Sequence, residues 1–300
     1  MRQIYCGCYG NEGIYKVNFE NGILSDPVLF CNIASTKYIA EGNDFIASLY
    51  SEAKGRNGVA ILDKSGQVIS SLIYEDIVSC YIGCDGNHIY TANFHEGTFS
   101  FLKYENSTLT LERKVKIRDK AGCHMLLPCN DQILGFALYM DRIYLFNREY
   151  EITGTIEFPE GTGPRHGVLS PDGRYLYVVS ELSKEVFIIE TSSWTILNKV
   201  RMCDDEKSTS AAIRLLGDIL YVTVRGTDRV FVIKISGEKL EIINSYSSGG
   251  KHPRDMIVCD GYVLCANTHS DTLACVNEKG TVSQVKIPEA VTLIAVRELQ

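Results

Sequence analysis

Short apolar runs recur along this chain at a nearly fixed interval. Ile4-Tyr5-Cys6, Phe45-Ile46-Ala47, Ile89-Tyr90-Thr91, Ile133-Leu134-Gly135, Leu176-Tyr177-Val178, Leu220-Tyr221-Val222 and Val263-Leu264-Cys265 start 41, 44, 44, 43, 44 and 43 residues apart. Tyr, Val, Ile and Phe dominate these runs and turn residues separate them, the composition of pleated, half-buried strands. Nowhere does the i, i+3, i+4, i+7 pattern of paired long helices appear. A period of about 40–45 residues fits one four-stranded blade, so the pattern predicts an all-β, seven-bladed β-propeller.

The fifth repeat shows the blade most clearly. Arg165 to Leu169 reads as an inner strand, Pro171-Asp172-Gly173 as a turn, and Tyr175 to Ser180 as the second strand. Glu185 to Ile189 and Thr195 to Arg201 complete it. The sixth repeat has inner strand Ala212 to Leu216, and the seventh Asp255 to Cys259. The first repeat begins at its second strand, Gln3 to Tyr9, and lacks an inner one. A spare strand, Val291 to Val296, stands at the other end. Pairing the two closes the ring and removes two sheet edges. No Gly/Pro/Ser-rich linker divides the chain, so one domain over residues 1–300 is expected.

Composition narrows the partners. The formal charge is −7, which speaks against nucleic acid as a general partner. No apolar stretch is long enough for a membrane span, and no charged segment followed by an apolar one marks an export signal. Eleven cysteines, an odd number scattered over the strands, suggest reduced thiols and a cytoplasmic location. Cys6-x-Cys8 reads as small buried apolar residues, since no CxxC spacing accompanies it. No metal or other cofactor is expected.

Propellers bind ligands at one mouth of the central channel. Two positions per blade face that mouth: the start of the inner strand and the residue just past the second strand. The second set reads Tyr9, Tyr50, Phe94, Leu138, Glu181, Arg225 and Thr268. The first includes His124, Arg165 and His166, Ala212 and Arg214, and Arg254 and Asp255. Charged candidates therefore gather in blades four to seven, as a pocket for a small anionic ligand requires. His88, His95, His252 and His269 read as loop residues without a role. The oligomeric state is open, and a monomer suffices.

Gly163-Pro164-Arg165-His166 and Ser170-Pro171-Asp172-Gly173-Arg174-Tyr175-Leu176-Tyr177-Val178-Val179-Ser180-Glu181-Leu182 resemble the lactonase family of seven-bladed propellers. That family includes propeller-type 6-phosphogluconolactonases and carboxymuconate cycloisomerases. Ile213-Arg214, Tyr221-Val222-Thr223-Val224-Arg225-Gly226 and His252-Pro253-Arg254 add to the likeness. The resemblance implies a site of His124, Arg165, Glu181 and Arg225. The chain departs from the family pattern at Val224, where Asn is usual, at Ala212, where Glu is common, and at Gly122-Cys123 ahead of His124. The expectation is a lactonase acting on an anionic sugar lactone. Glu181 takes a proton from water, His124 protonates the leaving oxygen, and Arg225 steadies the oxyanion. Arg165, His166, Arg214 and Arg254 bind substrate. A cycloisomerase acting on a muconate-like lactone and a non-catalytic ligand- or protein-binding propeller are the alternatives.

Overall fold

A computed structural model describes residues 1–296. Seven antiparallel sheets form the ring. Blade two is built from Ile39–Glu41, Ile46–Ala53, Arg56–Leu62 and Val68–Glu75; blade three starts at Tyr81–Asp85 and blade four at Cys123–Cys129. Blade five starts at Pro164–Leu169, blade six at Thr209–Leu216 and blade seven at Pro253–Cys259. The inner strand of blade six thus begins before Ala212, the start expected from the sequence.

Blade one closes the ring as predicted. Ala290–Val296 is its innermost strand and runs antiparallel to Arg2–Cys8, with Cys6 opposite Leu293 and Gly7 opposite Thr292. Its outer strand is broken into Ile23–Leu24 and Val28–Cys31, both paired with Ile14–Glu20. The turn read at Pro171-Asp172-Gly173 is present: Gly173 N–H donates to the Ser170 carbonyl at 2.9 Å, and Gly173 has φ +70°.

Side chains alternate between the two faces of each blade, so apolar residues of neighbouring blades meet. Phe99 and Phe101 of blade three pack edge-on against Phe146 of blade four, with centroids 5.7 and 5.3 Å apart. Leu264 and Leu273 of blade seven share a cluster with Ile4, Cys6 and Leu293 of blade one. Cys80, Cys84 and Cys203 are half-buried and the other eight cysteines are buried, where they pack as small apolar side chains. Among the described residues no helix is long and apolar enough to cross a membrane.

Candidate active site

An irregularity repeated in the inner strands builds the site. Where the inner strands of blades four, five, six, seven and one meet the channel mouth, the ladder with the second strand carries an extra residue; those of blades two and three pair without a shift. His124 is skipped between Cys123 and Met125, Arg165 between Pro164 and His166, Arg254 between Pro253 and Asp255, and Val291 between Ala290 and Thr292. A β-bulge of this kind bends the strand and re-aims the extra side chain. Two residues ahead of each of these four the backbone is left-handed: φ is +72° at Gly122, +67° at Gly163, +62° at His252 and +44° at Glu289. The turn and bulge together present His124, Arg165, Arg254 and Val291 to one cavity.

That cavity has a volume of about 190 Å³. Arg225 reaches it from the end of its second strand, and Glu181, Tyr9 and Phe94 from just past theirs, while Lys37, Tyr38, Cys80 and His95 complete most of its wall. Tyr50, Leu138 and Thr268, expected at the mouth, are not part of it. Leu138 and Thr268 open short 3-10 turns, Leu138–Met140 and Thr268–Ser270, and are buried in packing.

Charge organises the cavity. Glu181 Oε2 accepts from Arg165 Nε at 2.8 Å and lies 3.0 Å from Arg225 Nη2. Arg165 Nη1 donates to the Ala211 carbonyl at 2.7 Å, and Arg225 Nη2 to the Ser210 carbonyl at 2.8 Å. Arg225 Nε is buried without a hydrogen-bond partner, a donor left for a ligand or solvent. Burial pushes the Glu181 carboxyl up, but Arg225 and Arg165 outweigh it and hold it below the ordinary carboxylate range. Burial draws the Arg225 guanidinium down to about 10, so it stays charged at neutral pH. Enclosure, followed by Arg165, Arg254 and Arg225, keeps the His124 imidazole well below its ordinary pKa and therefore neutral.

Arg254 and Lys37 flank the Tyr9 ring, with Arg254 Cζ 5.4 Å and Lys37 Nζ 4.5 Å from its centroid. Neither meets a carboxylate within 4 Å among the described residues. Two other candidates lie deeper. His166 is buried below His124, 3.1 Å from its Nδ1, with Tyr38 and Tyr81 edge-on. Arg214, read as a substrate contact, does not line the cavity. It pairs with buried Asp255, which also accepts from Leu293 N at 3.0 Å and from Thr292 Oγ1 at 3.3 Å. That carboxylate ties blades six, seven and one together.

Lys37, Tyr38 and Cys80 were not singled out from the sequence, and His95, read as a loop residue without a role, also lines the cavity; His252 lies outside that lining. His252 stacks on His269 at 3.8 Å, and burial, then Arg225, lowers its pKa to about 3. Among the described residues no three His, Cys, Asp or Glu side chains converge as a metal site would need.

The structure is a closed seven-bladed propeller whose mouth cavity gathers arginines around one glutamate, with the neutral imidazole of His124 beside them. Residues 3–291 match the family described as Lactonase, 7-bladed beta-propeller, and the chain belongs to it. A 6-phosphogluconolactonase from Bacillus subtilis is 27% identical over 311 aligned positions, covering 90% of this chain and 89% of its own. Among solved structures, a protein from Lactobacillus plantarum superposes with a TM-score of 0.89 at 24% identity, covering 99% of both chains. The periplasmic gluconolactonase of Pseudomonas aeruginosa gives 0.87 at 20% identity and the same coverage.

Proposed function

We propose that the protein hydrolyses the lactone of an anionic sugar, such as 6-phosphogluconolactone, in the mouth cavity. One observation carries this reading. Lys37, Arg165, Arg225 and Arg254 line the cavity against the single carboxylate of Glu181, in a chain of net charge −7. Such a local excess of positive charge draws anions to the channel mouth. The Arg165–Glu181–Arg225 cluster and His124 supply the groups that carbonyl hydrolysis uses. Arg254 and Lys37, beside Tyr9, suit the substrate's phosphate or carboxylate. The resemblance to the Bacillus 6-phosphogluconolactonase supports the same substrate class.

Arg225, with its unused Nε–H, is placed to stabilise the oxyanion as water adds to the lactone carbonyl. Electrostatics redistributes the proton-transfer roles expected from the sequence. Both groups are weakened as bases, Glu181 by two arginines and His124 by burial and the same arginines, so geometry decides: the Glu181 carboxylate is held by two guanidinium groups, whereas a neutral imidazole presents a lone pair and has no spare proton until it has accepted one. Glu181 is then the anion that holds Arg165 and Arg225 in register, and the first proton transfer falls to His124.

Acid release from 6-phosphogluconolactone and from glucono-lactone, measured at neutral pH above the spontaneous rate, tests the reading. Turnover is expected, with the phosphorylated lactone preferred. Arg225→Ala lowers kcat by roughly a hundredfold, and Glu181→Gln lowers it as well by releasing both arginines. No turnover of any lactone in the panel by the unaltered protein overturns the proposal.

A further inference from the structure

Below the cavity two imidazoles touch. His166 Nε2 lies 3.1 Å from His124 Nδ1, so one nitrogen carries the hydrogen and the other the lone pair. A third group decides which. Arg165 Nη1 sits 3.4 Å from the same His166 Nε2, while it also donates to the Ala211 carbonyl. A guanidinium offers donors only and does not give up its proton. A hydrogen on His166 Nε2 would face those donors, so this nitrogen is the acceptor and His124 Nδ1 the donor. A neutral imidazole has one N–H, which leaves His124 Nε2 as a bare lone pair. The His124 ring lines the cavity, and its side-chain contact to another side chain is made by Nδ1, to His166.

We propose that Arg165, acting through His166, fixes His124 in the Nδ1–H tautomer, so that His124 Nε2 is the cavity's proton acceptor and His166 is a positioning residue. The kinetic part of this inference rests on the lactonase reading, whereas the tautomer does not. In the reaction, a water proton passes to His124 Nε2 as the water oxygen bonds to the lactone carbonyl carbon. The C=O π pair moves onto the carbonyl oxygen beside Arg225. When the tetrahedral species collapses, that pair re-forms the carbonyl and the ring C–O bond breaks. The ring oxygen keeps the bond's electrons and takes the proton back from His124 Nε2. One water is consumed, one hydroxy acid is released, and His124 ends neutral. His124 thus acts as base first and acid second.

Nitrogen NMR of protein labelled with 15N-histidine reads the tautomer directly. The chain has six histidines, and the signal pair lost in His124→Gln assigns His124. The expected result at neutral pH is a protonated Nδ1 and an unprotonated Nε2. A protonated Nε2 overturns the proposal whatever the protein's activity. Two variants test the relay. His166→Gln keeps a carbonyl acceptor for His124 Nδ1 and should retain both the tautomer and most of the rate. His166→Phe keeps the bulk but offers no acceptor; His124 should become a tautomer mixture, and kcat should fall roughly tenfold or more with KM little changed. Equal kcat in both variants, with the His124 signals unmoved, rejects His166 as a positioning residue. If the unaltered protein turns over no lactone, the lactonase reading fails and the NMR result alone decides the tautomer.

Discussion

Arg254 and Arg165 occupy equivalent bulges two blades apart, yet their partners differ. Arg165 is held by Glu181 and the Ala211 carbonyl. Arg254 lies against the Tyr9 ring, is half-buried, and makes no direct ion pair with a carboxylate among the described residues, which leaves its guanidinium open to an arriving anion. Arg254→Met should therefore raise KM for a phosphorylated lactone roughly tenfold or more, leave kcat nearly unchanged, and hardly alter kinetics on the unphosphorylated one. Steady-state kinetics on both substrates checks this, and a fall in kcat at constant KM would instead place Arg254 on the reacting carbonyl. Lys37→Met should act in the same direction but more weakly, because Lys37 lies at the rim. Cys80 shares this wall, but burial pushes its thiol up to about 11, so at neutral pH it is an unreactive part of the lining.

At the scale of the strand, the bulge assigns adjacent residues to separate tasks. Arg254 turns to the cavity, while Asp255 turns inward to Arg214, Leu293 N and Thr292 Oγ1. Asp255→Ala should lower the unfolding free energy by about 3 kcal/mol, since it strips a mostly enclosed arginine of its partner and removes the tie across the ring closure. Arg254→Met next door should leave stability nearly unchanged. Denaturant titrations of the two variants separate the tasks, and equal stabilities would show that the Asp255 tie is dispensable. The same bulges explain which residues the sequence disclosed. Glu181 and Arg225 were legible because both stand at the end of a second strand, a fixed distance past its apolar run. Arg214 was misplaced because blade six carries its extra residue between Ser210 and Ile213. The mouth position there falls on Ala211, and Arg214 lies deeper. Lys37 and Tyr38 went unseen because the inner strand of blade two, Ile39–Glu41, is too short to announce itself.

Across the whole molecule, buried titratable groups set how stability depends on pH. His124, His166 and His252 are held neutral, in each case chiefly by burial. Below their ordinary pKa of about 6.5, the unfolded chain binds protons at these positions that the native state does not. Their contribution is therefore complete above that pH and is lost as pH falls through it. Glu75 acts in the opposite sense. Burial raises it to about 7, so in mildly acidic solution the native state holds a proton that the unfolded chain releases. Three histidines outweigh one glutamate, and the thermal midpoint should fall between pH 7 and pH 5. At about 1.4 kcal/mol per pH unit for each net proton, the slope should be measurable by calorimetry. His252→Gln should make it shallower by about one proton. A midpoint that is level or rises on acidification would show that these imidazoles charge in place.

The sequence by itself determined the blade count, the closure of the ring by the strand read at Val291 to Val296, and the gathering of charge in blades four to seven. Strand periodicity is a local property, repeated often enough for the spacing to be read directly. It also placed Glu181 and Arg225, whose distance from an apolar run is constant. Only the tertiary structure decided that Arg214, unlike Arg254, serves the frame and not the cavity, that Lys37 joins Arg254 around Tyr9, and that His166 touches His124. These relations connect blades more than forty residues apart in the chain. They depend on single-residue bulges that shift which side chain points into the channel, and a bulge leaves the pattern of apolar positions almost unchanged.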